Sequence, residues 1–126
     1  MDNNFTSEEL LQIKTAWKAL DDKFGLDIIV LDIRNISTIA DCFIITSGSS
    51  PSQIKAMVDE AAEQLDKLGL SLHHTEGMRA MNWVLMDFGT IVIHIFDKEN
   101  RSFYNLERIW SDGVVIPRSV LTSESA

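Results

Sequence analysis

Disulfide bonds are excluded in this chain, because it contains a single cysteine, Cys42. Small secreted domains are often held together by several disulfides, whereas lone thiols are usual in reducing compartments. Cys42 lies in an apolar, strand-like run of residues. We therefore interpret it as a small core residue and not as a nucleophile, and we expect a cytoplasmic protein.

Long apolar segments are also missing. No apolar run approaches the roughly 20 residues that a membrane-spanning helix needs. The first residues are polar and acidic, and no basic region leads into an apolar core. We therefore expect neither a secretory signal peptide nor an association with membranes.

Basic residues are scarce: 11 Lys and Arg stand against 19 Asp and Glu, which gives a net charge of −8. Proteins that bind bare nucleic acid gain affinity by neutralising phosphates with basic side chains, so direct nucleic-acid recognition is not expected. An acidic chain suits a basic protein partner, since complementary charge speeds encounter. Alternatively, the acidity serves solubility alone.

The apolar residues concentrate in residues 82–96, where two runs rich in Val, Ile, Phe and Trp flank a short polar break. We predict a β-hairpin with strands at residues 82–87 and 90–96. Both faces are mostly apolar, which places the hairpin inside a sheet. Two polar residues interrupt the pattern, Asp87 and His94. His94 is either a hydrogen-bonded core residue or, beside Asp87, part of a binding surface.

Two amphipathic helices and further strands complete the pattern. The predicted elements are a helix capped by Thr6 and ending near residue 25, strands at 27–34 and 41–46, a helix at 51–68, a strand near 70–74, the hairpin, and a helix at 101–110. Because hairpins pair antiparallel and helical crossovers favour parallel pairing, we predict one α/β domain with a mixed sheet of about five strands flanked by helices. This domain covers residues 6–116, with flexible ends at 1–5 and 117–126.

The signatures of an enzyme are incomplete. Gly48-Ser49 lies between a strand and a helix, where backbone N–H groups can bind phosphate. A nucleotidyltransferase also needs two carboxylates one residue apart on a strand to hold two metal ions, and the first hairpin strand supplies only Asp87. The loop lacks the lysine of a P-loop as well. We therefore predict no enzymatic activity and no cofactor.

A metal site is not expected either. His73, His74 and Glu76 are close in sequence, with His94 as a distant third imidazole. Adjacent residues on a strand point to opposite faces, which suits shared ligation poorly. We interpret this group as a solvated edge.

Aromatic and charged residues gather in the hairpin and the final helix. Aromatic side chains beside arginine are typical of the hot spots of protein interfaces. The alternative is that the aromatic residues form core, which we favour for Phe103. The cluster consists of Trp83, Asp87, Phe88, Tyr104, Glu107, Arg108 and Trp110.

Seven segments share their order and spacing with one protein family. They are Ala19-Leu20-Asp21-Asp22-Lys23, Ile29-Val30-Leu31-Asp32, Ala40-Asp41-Cys42-Phe43-Ile44-Ile45-Thr46-Ser47-Gly48, Glu76-Gly77, Trp83-Val84-Leu85-Met86-Asp87-Phe88-Gly89, Val92-Ile93-His94-Ile95-Phe96 and Arg101-Ser102-Phe103-Tyr104-Asn105-Leu106-Glu107-Arg108-Ile109-Trp110. No single segment is specific, but the combination is. Over about residues 10–112 the chain resembles the ribosomal silencing factor family (Iojap/RsfS).

The resemblance implies a nucleotidyltransferase-like α/β fold without the catalytic carboxylate pair. It also implies binding to the large ribosomal subunit through uL14, a protein of the intersubunit face. The bound factor would block joining of the small subunit and repress translation. The alternatives are a role in large-subunit assembly and, less favoured, a nucleotide-binding or nucleotidyltransferase-type enzyme.

On this hypothesis an acidic domain docks on a basic ribosomal protein. Aromatic side chains would supply buried anchors, and carboxylates would pair with Lys or Arg of the partner. The predicted partner-binding residues are Asp41, Trp83, Asp87, Phe88, Tyr104, Glu107 and Arg108. Cys42 and Phe88 stand where the family commonly has Tyr, so hydrogen bonds from those hydroxyls are not available here. An edge strand near residues 70–74 also leaves room for a homodimer.

Overall fold

A computed structural model of the chain describes residues 5–105, 108 and 111–122. The helices are α1 (Ser7–Asp22), α2 (Pro51–Lys67), α3 (Lys98–Tyr104) and α4 (Arg118–Leu121). The strands are β1 (Leu26–Asp32), β2 (Cys42–Gly48), β3 (His74–Glu76), β4 (Trp83–Asp87), β5 (Ile91–Asp97) and β6 (Val114–Val115). Across these residues, none of the helices has the length and apolarity needed to cross a bilayer.

The six strands form one mixed sheet in the order β3-β4-β5-β2-β1-β6. Only β2 and β5 pair in parallel among the described strands, and α2 lies in the connection between them. The predicted hairpin is confirmed: β4 and β5 pair antiparallel, with Trp83 opposite Phe96 and Asp87 opposite Val92. The predicted α/β domain with a mixed sheet is therefore confirmed, and its sixth strand is β6, which pairs with β1.

The starts of the two long helices follow their local sequence. The Thr6 hydroxyl accepts a hydrogen bond from the Glu9 N–H at 3.0 Å, and the Glu9 carboxylate accepts one from the Thr6 N–H at 2.9 Å. This is the predicted capping box. At the start of α2 the Ser50 hydroxyl accepts from the Gln53 N–H, and Pro51 occupies the first turn.

The sheet separates two apolar layers because side chains alternate along each strand. On one side, which we call the inner layer, α1 and α2 pack on side chains such as Ile44 and Ile93. On the other side, the outer layer consists of Leu31, Ile33, Ala40, Phe43, Ile45 and Phe96. Trp83, Val92 and Ile29 are partly buried at its margin.

Two predicted elements are displaced in the structure. The strand expected near residues 70–74 lies at β3, because the Leu70 N–H donates to the Leu65 carbonyl and completes the end of α2. The helix expected at 101–110 begins earlier, at Lys98, where the Asp97 side chain caps it. Asn105 ends α3 in the left-handed conformation, with φ 49°. Residues 106, 107, 109 and 110 of the predicted helix lie outside the described residues.

Both ends of the predicted domain are packed further than the sequence indicates. Phe5 packs partly buried against the inner layer. Leu121 of α4 is buried in the same layer, and the Arg118 guanidinium lies 5.1 Å from the centre of the Trp17 ring. The packed chain therefore continues beyond Ile116, the predicted boundary, because α4 adds apolar surface to the core.

Candidate functional site

The outer side of β4 lies at the partly exposed margin of the outer layer. Strand alternation aims Trp83, Leu85 and Asp87 to this side, and Val92 lies opposite Asp87 on β5. All four side chains are partly exposed. We call these four residues the docking face. Trp83 and Asp87 lie four residues apart, which separates them by roughly 13 Å along the strand.

Trp83 is held against the sheet from two directions. Its ring stacks on Phe96 with the centroids 5.0 Å apart and the planes at 28°. Its indole N–H donates a hydrogen bond of 3.1 Å to Nδ1 of His94. A partly exposed aromatic ring with fixed contacts resembles the rigid anchors that contribute most to protein interfaces.

His94 lies beneath Trp83 in the outer layer, where only 4% of it is exposed. Its ring contacts Phe43 edge to face, with the centroids 4.7 Å apart. Burial lowers the pKa of His94 to about 4, because the charged form would lose its hydration. The imidazole is therefore neutral at physiological pH. It lies opposite Leu85 and contacts Trp83. The alternative interpretation of the sequence had placed it beside Asp87.

Asp87 shapes the hairpin turn as well as the docking face. Its Oδ1 accepts a hydrogen bond of 2.7 Å from the Gly89 N–H. Gly89 has φ +92°, a conformation that other residues adopt only with strain. The carboxylate therefore has a structural role at one oxygen, and a test of its charge has to preserve that hydrogen bond.

Phe88 was predicted to bind a partner, but its side chain is not exposed at the docking face. The side chain is 1% exposed and packs in the inner layer. It directly follows Asp87, so the alternation that aims Asp87 outward aims Phe88 inward. The same alternation places Leu85 on the docking face, and pairing with Asp87 places Val92 there; neither is among the predicted partner-binding residues.

The remaining predicted partner-binding residues lie around this face or outside the described part of the chain. Asp41 precedes β2 and is partly exposed, and its N–H donates to the Thr90 carbonyl at 2.9 Å, at the turn end of the hairpin. Arg108 is exposed. The side chain of Tyr104 and the whole of Glu107 and Trp110 lie outside the described residues.

Helix α3, which carries Tyr104 at its end, is attached to the sheet by Arg101. The Arg101 guanidinium donates to the Leu26 carbonyl at 2.8 Å and to the Asp27 carbonyl at 2.7 Å. A longer contact of 3.4 Å reaches the Ser47 hydroxyl. Because Leu26, Ser47, Phe96 and Trp83 occupy successive strands in one row of the sheet, α3 starts at the Trp83 end of the hairpin.

The serine-rich turn before α2 is closed by the side chain of Gln53. Its Oε1 accepts from the Ser49 N–H at 2.6 Å, and its amide donates to the Lys23 and Phe24 carbonyls at 3.1 and 2.8 Å. The Gln53 N–H is itself bound to the Ser50 hydroxyl. Two of the backbone donors that could face a phosphate at this turn, the N–H groups of Ser49 and Gln53, are therefore engaged within the chain.

The other candidates for chemistry are a buried thiol and a pair at the sheet edge beside the docking face, where His74 lies opposite Asp87 and Glu76 opposite Leu85. The Cys42 thiol is fully buried, and burial raises its pKa far above the ordinary value, which suits a core residue. His74 and Glu76 form an exposed pair at 2.8 Å at the edge of the sheet. Among the described residues, no group of three or more His, Cys, Asp or Glu side chains is arranged to hold a metal ion.

Comparison with known proteins gives consistent matches along the chain. Residues 5–126 match the family described as "Ribosomal silencing factor during starvation". The Bacillus subtilis (strain 168) protein named Ribosomal silencing factor RsfS is 43% identical over 100 residues, which cover 79% of this chain and 85% of that protein. The matched range of the family includes every residue of the docking face.

A solved structure and a more distant relative also match the chain. A crystal structure of a Chromobacterium violaceum protein has a TM-score of 0.77 and 32% sequence identity, covering 80% of this chain and 84% of that chain. The mouse protein named Mitochondrial assembly of ribosomal large subunit protein 1 is 33% identical over 88 residues. That match covers 68% of this chain and 39% of the mouse protein.

Proposed function

The chain belongs to the ribosomal silencing factor family, and we propose that it binds the large ribosomal subunit and represses translation. The observation that carries the proposal at the level of the site is the partly exposed Trp83, stacked on Phe96 and flanked along its strand by Asp87. An aromatic anchor with a carboxylate farther along the same face of the strand suits a basic protein surface.

The partner that we propose is uL14 on the intersubunit face of the large subunit. A factor bound there would occupy space that the small subunit needs, so that silencing would be a steric effect and would require neither enzymatic activity nor a cofactor. The net charge of −8 favours a basic protein over ribosomal RNA, because phosphates would repel this chain. The proposed location is the cytoplasm.

Co-sedimentation with purified large subunits, followed by a subunit-joining assay, tests this function. We expect the protein to pellet with large subunits and to reduce joined ribosomes. Trp83→Ala removes the anchor and should weaken binding by at least about 2 kcal/mol, as hot-spot truncations do. Unimpaired binding of a folded Trp83→Ala variant would reject the docking face.

The charge of Asp87 is tested separately by Asp87→Asn, which keeps an oxygen for the Gly89 N–H. We expect about 0.5–2 kcal/mol weaker binding, because a pair with Lys or Arg of the partner is lost while the hairpin turn is preserved. Asp59→Asn is the matched control, since Asp59 lies exposed on α2 and pairs with Lys55 at 2.7 Å. Equal effects of the two substitutions would mean that total charge matters and not the docking face.

A role in assembly of the large subunit is the second candidate, favoured by the match to the mouse assembly protein. Binding to large subunits without a joining defect would move the function to assembly. An enzyme with nucleotide substrates is disfavoured by the closure of the serine-rich turn by Gln53. Stabilisation by nucleotide and magnesium in a thermal-shift titration would revive it.

A homodimer stays a prediction, for which the exposed edge at β3 is the candidate contact. Sedimentation velocity of the protein alone at several concentrations measures it. A species that stays at the monomer mass throughout would reject self-association.

A further inference from the structure

The burial of His94 needs an explanation that core packing does not supply. Nδ1 accepts the Trp83 indole N–H, so the proton of the neutral ring is on Nε2. That atom is buried and has no hydrogen-bond partner in the described structure. A buried donor without a partner destabilises a fold. An apolar side chain of similar size would fill the outer layer without this cost.

What an apolar side chain would lack is an acceptor for the indole. Stacking on Phe96 fixes the plane of the Trp83 ring but leaves open which edge faces the sheet, because stacking has little directional preference within the plane. The hydrogen bond to His94 decides this: the edge that carries Nε1 is turned toward the buried imidazole. The imidazole in turn packs edge to face against Phe43.

We propose that His94 is a positioning residue for the docking face: its Nδ1 holds the Trp83 indole in a single orientation before the ribosomal partner arrives. The orphaned Nε2 is then the cost of placing an acceptor under the anchor. A side chain that is already ordered loses less freedom on binding, which raises affinity without a new contact to the partner. This inference rests on the proposed function, because it concerns the affinity of the same face.

Two substitutions of nearly identical shape separate the acceptor from the packing. His94→Asn keeps an oxygen close to the position of Nδ1, whereas His94→Leu has the same branching and no acceptor. We expect His94→Leu to bind purified large subunits roughly two- to tenfold more weakly, the effect of one immobilised side chain, and His94→Asn to bind within about twofold of the original protein. Equal losses in both variants would overturn the proposal.

A Trp83→Phe background supplies the second comparison. Phenylalanine keeps an aromatic ring on Phe96 but has no N–H to donate, so His94→Leu should cause no further loss of binding there. If His94→Leu weakens binding as much in this background as in the original protein, His94 acts through general packing and the proposal is overturned. If His94→Leu alone is too unstable to use, Trp83→Phe can replace it, because this substitution removes the same hydrogen bond from the donor side.

A readout without ribosomes distinguishes failure of this inference from failure of the proposed function. In ¹H–¹⁵N spectra, the indole signal that disappears in Trp83→Phe belongs to Trp83. We expect this signal to be shifted downfield and slow to exchange with solvent in the original protein and in His94→Asn, and shifted upfield and fast to exchange in His94→Leu. If the original protein does not bind large subunits and the spectra behave as expected, the proposed function fails while the positioning contact stands. An indole signal that is the same in all three proteins overturns the positioning role itself.

Discussion

His94 couples protonation to stability through its burial in the outer layer. Burial lowers its pKa from 6.5 to about 4, so the unfolded chain takes up a proton below about pH 6.5 while the folded chain stays neutral until about pH 4. The free energy of unfolding should therefore fall as pH decreases across this window, by about 3 kcal/mol from this one group. Below pH 4 the decrease from His94 ends.

Denaturant titrations of the original protein and of His94→Asn at several pH values measure this effect. Asparagine does not titrate, and the other ionisable groups, including the exposed His73 and His74, are common to both proteins. The difference in stability between the two proteins should shift in favour of His94→Asn as pH falls from 6.5 to 4. Parallel curves would contradict the assignment of a buried, neutral imidazole.

Phe88 provides a second test at the residue scale, because its position distinguishes core from interface. With 1% exposure in the inner layer, Phe88→Ala should reduce the free energy of unfolding by about 3–5 kcal/mol, whereas Phe88→Leu should cost less than about 1.5 kcal/mol. Large-subunit binding by the folded Phe88→Leu protein should be unchanged. A stable Phe88→Ala variant with weak binding would return Phe88 to the docking face.

Part of the docking face can be predicted from the alternation of side chains along the sequence. Alternation along 82–87 places Trp83 and Asp87 together, and the same rule removes Phe88 and adds Leu85. The His94–Trp83 hydrogen bond could not be predicted with the same ease. It depends on the register between β4 and β5 and on the side-chain rotamers, which periodicity does not specify.

At the scale of elements, Gln53 connects α2 to the loop that follows α1. The three hydrogen bonds that its side chain makes are to backbone groups of Ser49, Lys23 and Phe24. Phe24 has φ 66°, a left-handed conformation unusual for an aromatic residue, so the loop needs contacts that hold it in place. Gln53→Ala should lower the free energy of unfolding by about 1–2 kcal/mol, since these bonds are only partly shielded from water.

Gln64→Ala is the matched control for this prediction, because Gln64 lies on the same helix and its side chain contacts only the neighbouring Glu60 among the hydrogen bonds of the described residues. We expect a change within about 0.5 kcal/mol for this variant. Equal stability of the two alanine variants in urea titrations would mean that the Gln53 contacts do not constrain the loop.

The long elements were predictable from the sequence because their signals are local. Thr6 and Glu9 mark the start of α1, and Pro51 marks the start of α2. The short elements could not be predicted in the same way, since they depend on tertiary packing. Strand β3 exists because His74 pairs with Asp87, and α4 is held by the burial of Leu121 in a layer formed by distant segments.

At the scale of the whole molecule, the excess of acidic residues predicts how binding responds to salt. If a chain of net charge −8 docks on a basic ribosomal protein, added salt screens the attraction, since the Debye length falls from about 10 Å at 0.1 M to about 3 Å at 1 M. Affinity for large subunits should fall by about tenfold or more over this range at constant magnesium, chiefly through slower association. In the proposed complex the contact of the Trp83 ring with the partner would be apolar, and added salt should not weaken it.

The two contributions can be separated by measuring association and dissociation rates at each salt concentration. Asp87→Asn should bind more slowly and depend less on salt than the original protein, because one of the attracting charges is gone. Trp83→Phe should dissociate faster and keep the full salt dependence, because an apolar anchor contributes after the encounter. Affinity that does not change with salt would exclude electrostatic attraction to a basic partner, and affinity that rises with salt would mean that apolar contacts alone hold this acidic protein on the ribosome.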